Sequence, residues 1–397
     1  MIITKIKYKV KTDYKNIEYN MSEFIFDENR ANELKEVNTR IGIKDDLSLE
    51  KNKTLIFVYC PPKVGSTTIV SSLRLSASNK ITVIHLHNDV MLKVLFNITN
   101  TTVNEIIHFN KFLGKNVYVI DIYRTPIEHK MSSFFENIDT FHFNTSIENL
   151  KTYSIDRIMK RFNYLFPYLV TGDYYRETYH IPTQQHQSFD FENKYLLTEH
   201  NGITYIKLRL QDSNTWRDIF KKILKMDIYI VSDYETDNKN TNVKELYKHF
   251  KTNYKIPKNF IDMIKNSPQF LFYNDINERN EYFKSWEEKS TTEEFIPFDT
   301  EEYDFYNKIS TDNQHMNEIQ DQHYIDCGCT CIACDRKRKI LLEKAKRGEK
   351  INDKIIHGKS KTEYLMEKIK NNTFTILKKS NKPRKIINNN FMVQHHL

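Results

Sequence analysis

The amino-acid sequence predicts an α/β fold: a parallel central sheet covered by helices on both sides, with helical insertions and a C-terminal extension. Three observations carry that expectation. Strand-length apolar runs recur at Thr54–Cys60, Ile81–His87 and Asn116–Tyr123. Segments of helical pattern separate them, and a turn holding Pro61, Pro62 and Gly65 closes the first. Continuous apolar runs suit strands buried on both faces, and β-α-β-α-β alternation is how a chain builds a parallel sheet.

Taken in order, residues 1–50 are polar and weakly patterned and read as an N-terminal extension. Residues 51–295 form the expected α/β domain. After the first strand, Ser66–Leu75 reads as a helix started by a Ser or Thr cap. A polar helical pattern over Asn104–Leu113 leads into the third strand, and His129–Glu136 continues as helix past Pro126. Residues 146–190 read as mainly helical and aromatic. Tyr195–Leu210 reads as a hairpin turning at Asn201-Gly202, the dipeptide that accepts positive φ. Trp216–Leu224 and Val243–Tyr254 are amphipathic helix candidates. No internal repeat is present, and composition changes near residue 295.

Residues 296–397 form the expected extension, and they hold the basic charge. The chain carries +8 overall. Asp335–Leu397 alone has 18 Lys and Arg against 6 Asp and Glu, so the remainder is net negative. A tail of this kind is a solvated segment or contacts a polyanion in a salt-sensitive way. Ahead of it, Cys327, Cys329, Cys331 and Cys334 form a C-x-C-x-C-x2-C cluster. Four thiolates, with His315 or His323 in reserve, can hold a structural Zn²⁺; the same tight spacing also fits reduced, redox-sensitive thiols. Cys60 fits a buried small hydrophobe. The first ten residues lack an apolar core, and no run reaches the ~18 apolar residues of a membrane span. A cytoplasmic protein without a membrane span is expected, and the sequons at Asn97 and Asn100 are read as chance.

The turn after the first strand carries the chemistry. Lys63, Val64, Gly65, Ser66, Thr67 and Thr68 join a buried strand to a helix start. A helix N-terminus offers free N–H groups and a positive dipole end, Gly allows close backbone approach, and the lysine and hydroxyls add charge and donors. Together they suit a phosphate or phosphosulfate. The nucleoside-triphosphatase loop G-x-x-x-x-G-K-[ST] is absent, because here the lysine precedes the only glycine. A second anion site is expected at the third strand's carboxyl end, where open α/β sheets bind ligands. There Arg124 and Ser132 combine a guanidinium fork with a hydroxyl.

These two motifs, in this order, resemble the sulfotransferases that use 3′-phosphoadenylyl sulfate (PAPS). The resemblance implies a P-loop-like three-layer sandwich. It implies that Lys63–Thr68 bind the donor's 5′-phosphosulfate and that Arg124 and Ser132, eight positions apart, bind its 3′-phosphate. A narrower similarity is to a sulfotransferase-like family of capsular polysaccharide synthesis proteins. It rests on Lys63–Thr68, Arg124–Pro126 with Ser133–Phe135, Phe189–Glu192, Leu208–Asp212 and Phe270–Tyr273, and spans roughly residues 54–290. Gln211 and Phe189 depart from the expected Glu and Trp. The acceptor is expected to be a hydroxyl of a glycan or small molecule.

Sulfuryl transfer needs a base for the acceptor proton and positive charge on the leaving oxygen. Lys63 supplies the charge. His85 is the expected base and His87 the second choice, both on one face of the second strand, where they also fit as packed strand residues. Asp89 or Glu136 can orient or replace them. Other readings are a kinase or glycosyltransferase using another nucleotide, a non-catalytic relative, or a function residing in the tail.

Overall fold

The three apolar runs are strands of one sheet. The computed structural model describes residue 24 and residues 26–136, 138–143, 147–231 and 241–310. Helices α1 (Glu28–Arg40) and α2 (Glu50–Lys53) precede β1 (Thr54–Tyr59). Then come α3 (Ser66–Ala77), β2 (Thr82–Leu86), α4 (Asp89–Phe96), α5 (Val103–Phe112) and β3 (Asn116–Tyr123). Past β3 run α6 (Pro126–Glu136), α7 (Ile147–Leu150) and α8 (Ile155–Leu165), followed by short helical turns at Phe166–Tyr168, Tyr174–Thr178 and Thr183–Gln185, so the stretch before residue 190 is mainly helical, as expected, but in short pieces. The hairpin β4 (Tyr195–His200) and β5 (Ile203–Arg209) leads into α9 (Trp216–Leu224). The described chain ends with α10 (Thr241–Asn253), β6 (Ile256–Pro257), α11 (Lys258–Lys265), α12 (Pro268–Tyr273), α13 (Ile276–Glu287), β7 (Ser290–Thr291) and α14 (Thr300–Ser310).

The five-stranded sheet runs β2-β1-β3-β5-β4. β2, β1, β3 and β5 are parallel, and only the edge strand β4 is antiparallel. The hairpin turn is as expected, with Asn201 at φ 50° and Gly202 at φ 70°. Alternate residues of β1 divide between two cores. Leu55, Phe57 and Tyr59 pack with α1, α4 and α5. Ile56 and Val58 pack with α3 and with Trp216, Ile219 and Phe220 of α9. Helices therefore cover both faces of a mostly parallel sheet.

A third core is helical and aromatic. Phe134 and Phe135 of α6 meet Phe162 of α8, Phe250 of α10 and Phe260 of α11. Phe298 and Tyr306 join the same core, so residue 295 is no boundary. The other expected boundary moves as well. Val37, Ile41 and Ile43 belong to the first sheet core, and Arg30 is paired with Glu105 at 2.6 Å. The α/β unit thus reaches back at least to α1. Among the described residues no helix is long and apolar enough to cross a membrane. The cysteine cluster at 327–334, with His315 and His323, and the basic tail lie outside the described residues; among those described, no group of three or more metal-ligating side chains occurs.

Candidate functional site

Parallel strands deliver their carboxyl ends to one edge, and the loop after β1 meets the residue after β3 there. Arg124 donates from Nη1 to the Lys63 carbonyl at 2.7 Å. The two motifs, 61 positions apart in the chain, are in contact. Tyr247 of α10 also hydrogen-bonds Arg124.

The loop's conformation is set by its carbonyls. Tyr179 donates its hydroxyl to the Tyr59 carbonyl. His87 Nδ1 lies 2.8 Å from the Cys60 carbonyl and His129 Nε2 2.8 Å from that of Pro62. Arg124 takes the fourth, that of Lys63. A carbonyl only accepts, so each imidazole nitrogen facing one carries its proton. With these acceptors held, Lys63 adopts φ 66° and Gly65 φ 91°. Two left-handed residues flanking Val64 curl the backbone into a concave turn of the kind that gathers N–H groups around an anion.

The helix that follows starts differently from expectation. Gly65, and no Ser or Thr, is the N-cap of α3, and no side chain caps its first turn. The orphan amides of that turn keep their demand for an acceptor. Ser66 is buried with its hydroxyl bonded to the Cys60 thiol, and Val64 is buried among apolar neighbours, so these two contribute backbone only. Thr67 and Thr68 are half-buried on the first turn.

Gly65 is required twice over. A Cβ there would stand 2.7 Å from Leu210 Cδ1, and its φ is one that L side chains avoid. Gly65→Ala is expected to cost ~1–2 kcal/mol of stability. Urea unfolding would detect it; a loss near zero would mean the turn relaxes freely.

Lys63 projects to Glu136, at the end of α6, with Nζ and Oε2 2.6 Å apart. Ser132 lies on the same face of α6 as His129 and Glu136, since residues three and four apart stack along a helix. The resemblance gave it a 3′-phosphate to bind. Ser132 is 0% exposed and its Oγ has no partner. Leaving a hydroxyl buried and unsatisfied costs ~1–3 kcal/mol, and such a group near an anion site fits a phosphate oxygen.

The two histidines separate clearly. His85 Nε2 is enclosed without a hydrogen-bond partner. Burial, with help from the charges of His87 and Arg74, pushes its pKa down to about 3. Both observations weigh against His85 as the base. His87 sits one strand repeat further out, its ring centroid 4.7 Å away. Its Nδ1–H is spent on the Cys60 carbonyl, which leaves Nε2 as the basic nitrogen. Burial lowers the His87 pKa; the Cys60 carbonyl and the Glu136 carboxylate act against that, and Lys63 adds to it. Asp89 accepts the Val103 N–H at 2.7 Å.

Behind the edge lies a buried charge cluster that sequence reading missed. Lys207 of β5 contacts Asp121 of β3 at 2.6 Å and Asp173 at 3.1 Å, and Tyr273 donates to Asp173 at 2.8 Å. Beside it, Arg209 binds Asp212 and Glu278, each at 2.6 Å, and the Tyr273 carbonyl at 2.9 Å, while Phe189 stacks on its guanidinium at 4.7 Å. The segments 189–192, 208–212 and 270–273 thus converge on Arg209, and Gln211 joins them by donating to Glu278 at 3.3 Å. The clamps Tyr179 and His129 were missed too, although His129 lies five residues beyond Arg124 in the motif itself. A separate polar groove of about 470 Å³ follows β4, lined by Gln185, Glu199 and His200 among others. It opens toward the amino ends of the parallel strands, away from the loop. No protein family, curated protein or solved structure matches the chain.

Proposed function

We propose that this chain is a PAPS-dependent sulfotransferase of P-loop-like fold that moves a sulfuryl group to a hydroxyl of a glycan or small molecule. The observation that carries the reading is the 2.7 Å hydrogen bond from Arg124 to the Lys63 carbonyl. It brings a guanidinium and a cationic, uncapped helix start to one sheet edge, as a ligand with phosphates at two separate positions requires. The donor's 5′-phosphosulfate would lie on the Lys63–Thr68 turn, and its 3′-phosphate near Arg124 with Ser132 beneath.

The residues divide the chemistry. As the acceptor oxygen bonds to sulfur, its proton passes to His87 Nε2. The bond from sulfur to the bridging oxygen breaks, and its electron pair stays on the 5′-phosphate. Lys63 and the first-turn amides neutralise that growing charge. His85 behind His87 holds the ring's position and takes no proton.

Calorimetry with 3′,5′-adenosine bisphosphate, compared with ATP, tests the reading. The wild type is expected to bind the bisphosphate and to give no heat with ATP. Lys63→Ala should lose roughly 30-fold in affinity, the effect of one charge-assisted hydrogen bond of ~2 kcal/mol. His87→Ala should bind normally. Preference for ATP, or equal affinity in wild type and Lys63→Ala, would refute the donor site.

A further inference from the structure

The turn after β1 owes its curl to a residue in a left-handed conformation. Lys63 has φ 66°, which an L side chain adopts only at a cost, so its surroundings have to hold it there. That angle is the tilt of the peptide plane between Pro62 and Lys63. The rings of Pro61 and Pro62 lock their own φ, so this plane is the first beyond Cys60 that can turn about both of its flanking bonds.

His129 of α6 stands where it can hold that plane. Its Nε2 lies 2.8 Å from the Pro62 carbonyl, the oxygen of the plane itself. Arg124 holds the next plane, through the Lys63 carbonyl at 2.7 Å. Lys63 is thus pinned on both sides by two residues five positions apart in the segment after β3. We propose that His129 is a positioning residue of the donor site: its Nε2–H keeps Lys63 left-handed, and so keeps the turn in its anion-binding shape before any donor arrives. This rests on the donor site described above.

The surroundings of His129 suit that role. It is 8% exposed, so water competes little for the Pro62 carbonyl. Burial pushes its pKa down to about 3, against the pull of that carbonyl, so the ring is neutral and carries one N–H. A carbonyl only accepts, which puts that proton on Nε2. The ring is delivered by a fixed element, because Met131, Phe134 and Phe135 of α6 are buried in the aromatic core. In a trans peptide the N–H points opposite to the C=O. With the carbonyls of Pro62 and Lys63 held, the amides of Lys63 and Val64 point away from both clamps. A turn fixed in this way loses less freedom when an anion binds.

Three variants of the full chain test this by calorimetry with 3′,5′-adenosine bisphosphate, with thermal melts to show that each is folded. His129→Phe keeps a ring and removes the donor; it should bind roughly tenfold weaker than wild type, the effect of one lost neutral hydrogen bond. Glutamine can place its amide nitrogen where Nε2 stands, so His129→Gln should bind within about threefold of wild type. Asparagine reaches only as far as Nδ1. His129→Asn should therefore bind as weakly as His129→Phe, and it carries the comparison if His129→Phe does not fold. A crystal structure of His129→Asn should show the Pro62–Lys63 peptide turned and Lys63 at negative φ, and one of His129→Gln should keep that φ positive. A space-filling role alone would make phenylalanine the best tolerated of the three. Wild-type affinity in His129→Asn, glutamine binding as weakly as asparagine, or a positive Lys63 φ in His129→Asn overturns the proposal and leaves the donor site standing. Failure of the wild type to bind the bisphosphate removes the donor site, and the two crystal structures then still decide whether His129 holds the turn.

Discussion

Replacing Lys207 with methionine is expected to cost ~3–5 kcal/mol of folding stability at neutral pH, enough to unfold a marginal domain. The size follows from what is left behind. Lys207, Asp121 and Asp173 are all at most 2% exposed, and one cation serves two carboxylates. Methionine fills much the same volume and supplies no charge, so both carboxylates stay buried without a counter-ion. The pH dependence has a definite sign. Burial already pushes Asp121 up from 3.8 to about 6, against the pull of Lys207, so its folded value lies above its unfolded one. The stability linked to Asp121 is complete below the unfolded value and is lost as pH rises through the folded one. Removing Lys207 raises that carboxyl further. The gap between wild type and Lys207→Met should therefore be widest near pH 7 and should narrow toward pH 5. Urea unfolding at the two pH values checks this. A gap under ~1 kcal/mol at pH 7 would show that water or rearrangement relieves the cluster.

Arg124→Ala is expected to weaken binding of 3′,5′-adenosine bisphosphate about 100-fold, the effect of truncating one partner of an enclosed charged contact worth ~2–3 kcal/mol. Arg124 does two things at once. Its fork holds the Lys63 carbonyl at 2.7 Å, which keeps the turn curled, and its charge faces the expected 3′-phosphate. Arg124→Lys should recover little, because a compact ammonium lacks the planar, spread fork with which the guanidinium holds the Lys63 carbonyl while facing a phosphate. Calorimetry on both variants, with thermal melts showing that each is folded, decides the matter. Affinity within about twofold of wild type for Arg124→Ala would mean that the phosphate lies elsewhere.

The fold was legible where local pattern and burial coincide. Thr54–Cys60 is apolar at nearly every position because both faces of β1 are covered, and Asn201-Gly202 announces its turn because few other residues accept that backbone. Helix α9 begins and ends at Trp216 and Leu224, as its amphipathic spacing indicates. Helix α1 escaped notice for the opposite reason. Its docking uses polar side chains, Arg30 on Glu105 and Asn38 on Asn110, which look solvated in a sequence. Strand alternation placed His85 and His87 on one face but says nothing of their hydrogen bonds, and these differ: His87 Nδ1 faces the Cys60 carbonyl, while His85 Nε2 is enclosed without a partner. The cluster around Lys207 joins residues 86 and 34 positions apart, so no spacing betrays it. The clamps on the loop aim at backbone carbonyls, which every residue has, and so leave no pattern on the residue they hold.

Helix α6 belongs to two bodies. On one side His129 and Glu136 grip the loop; on the other Met131, Phe134 and Phe135 are embedded in the aromatic bundle. A rigid rod shared in this way transmits displacement. Neither set of contacts can be lost without disturbing the residues that anchor the other, so the loop and the bundle share one mechanical support.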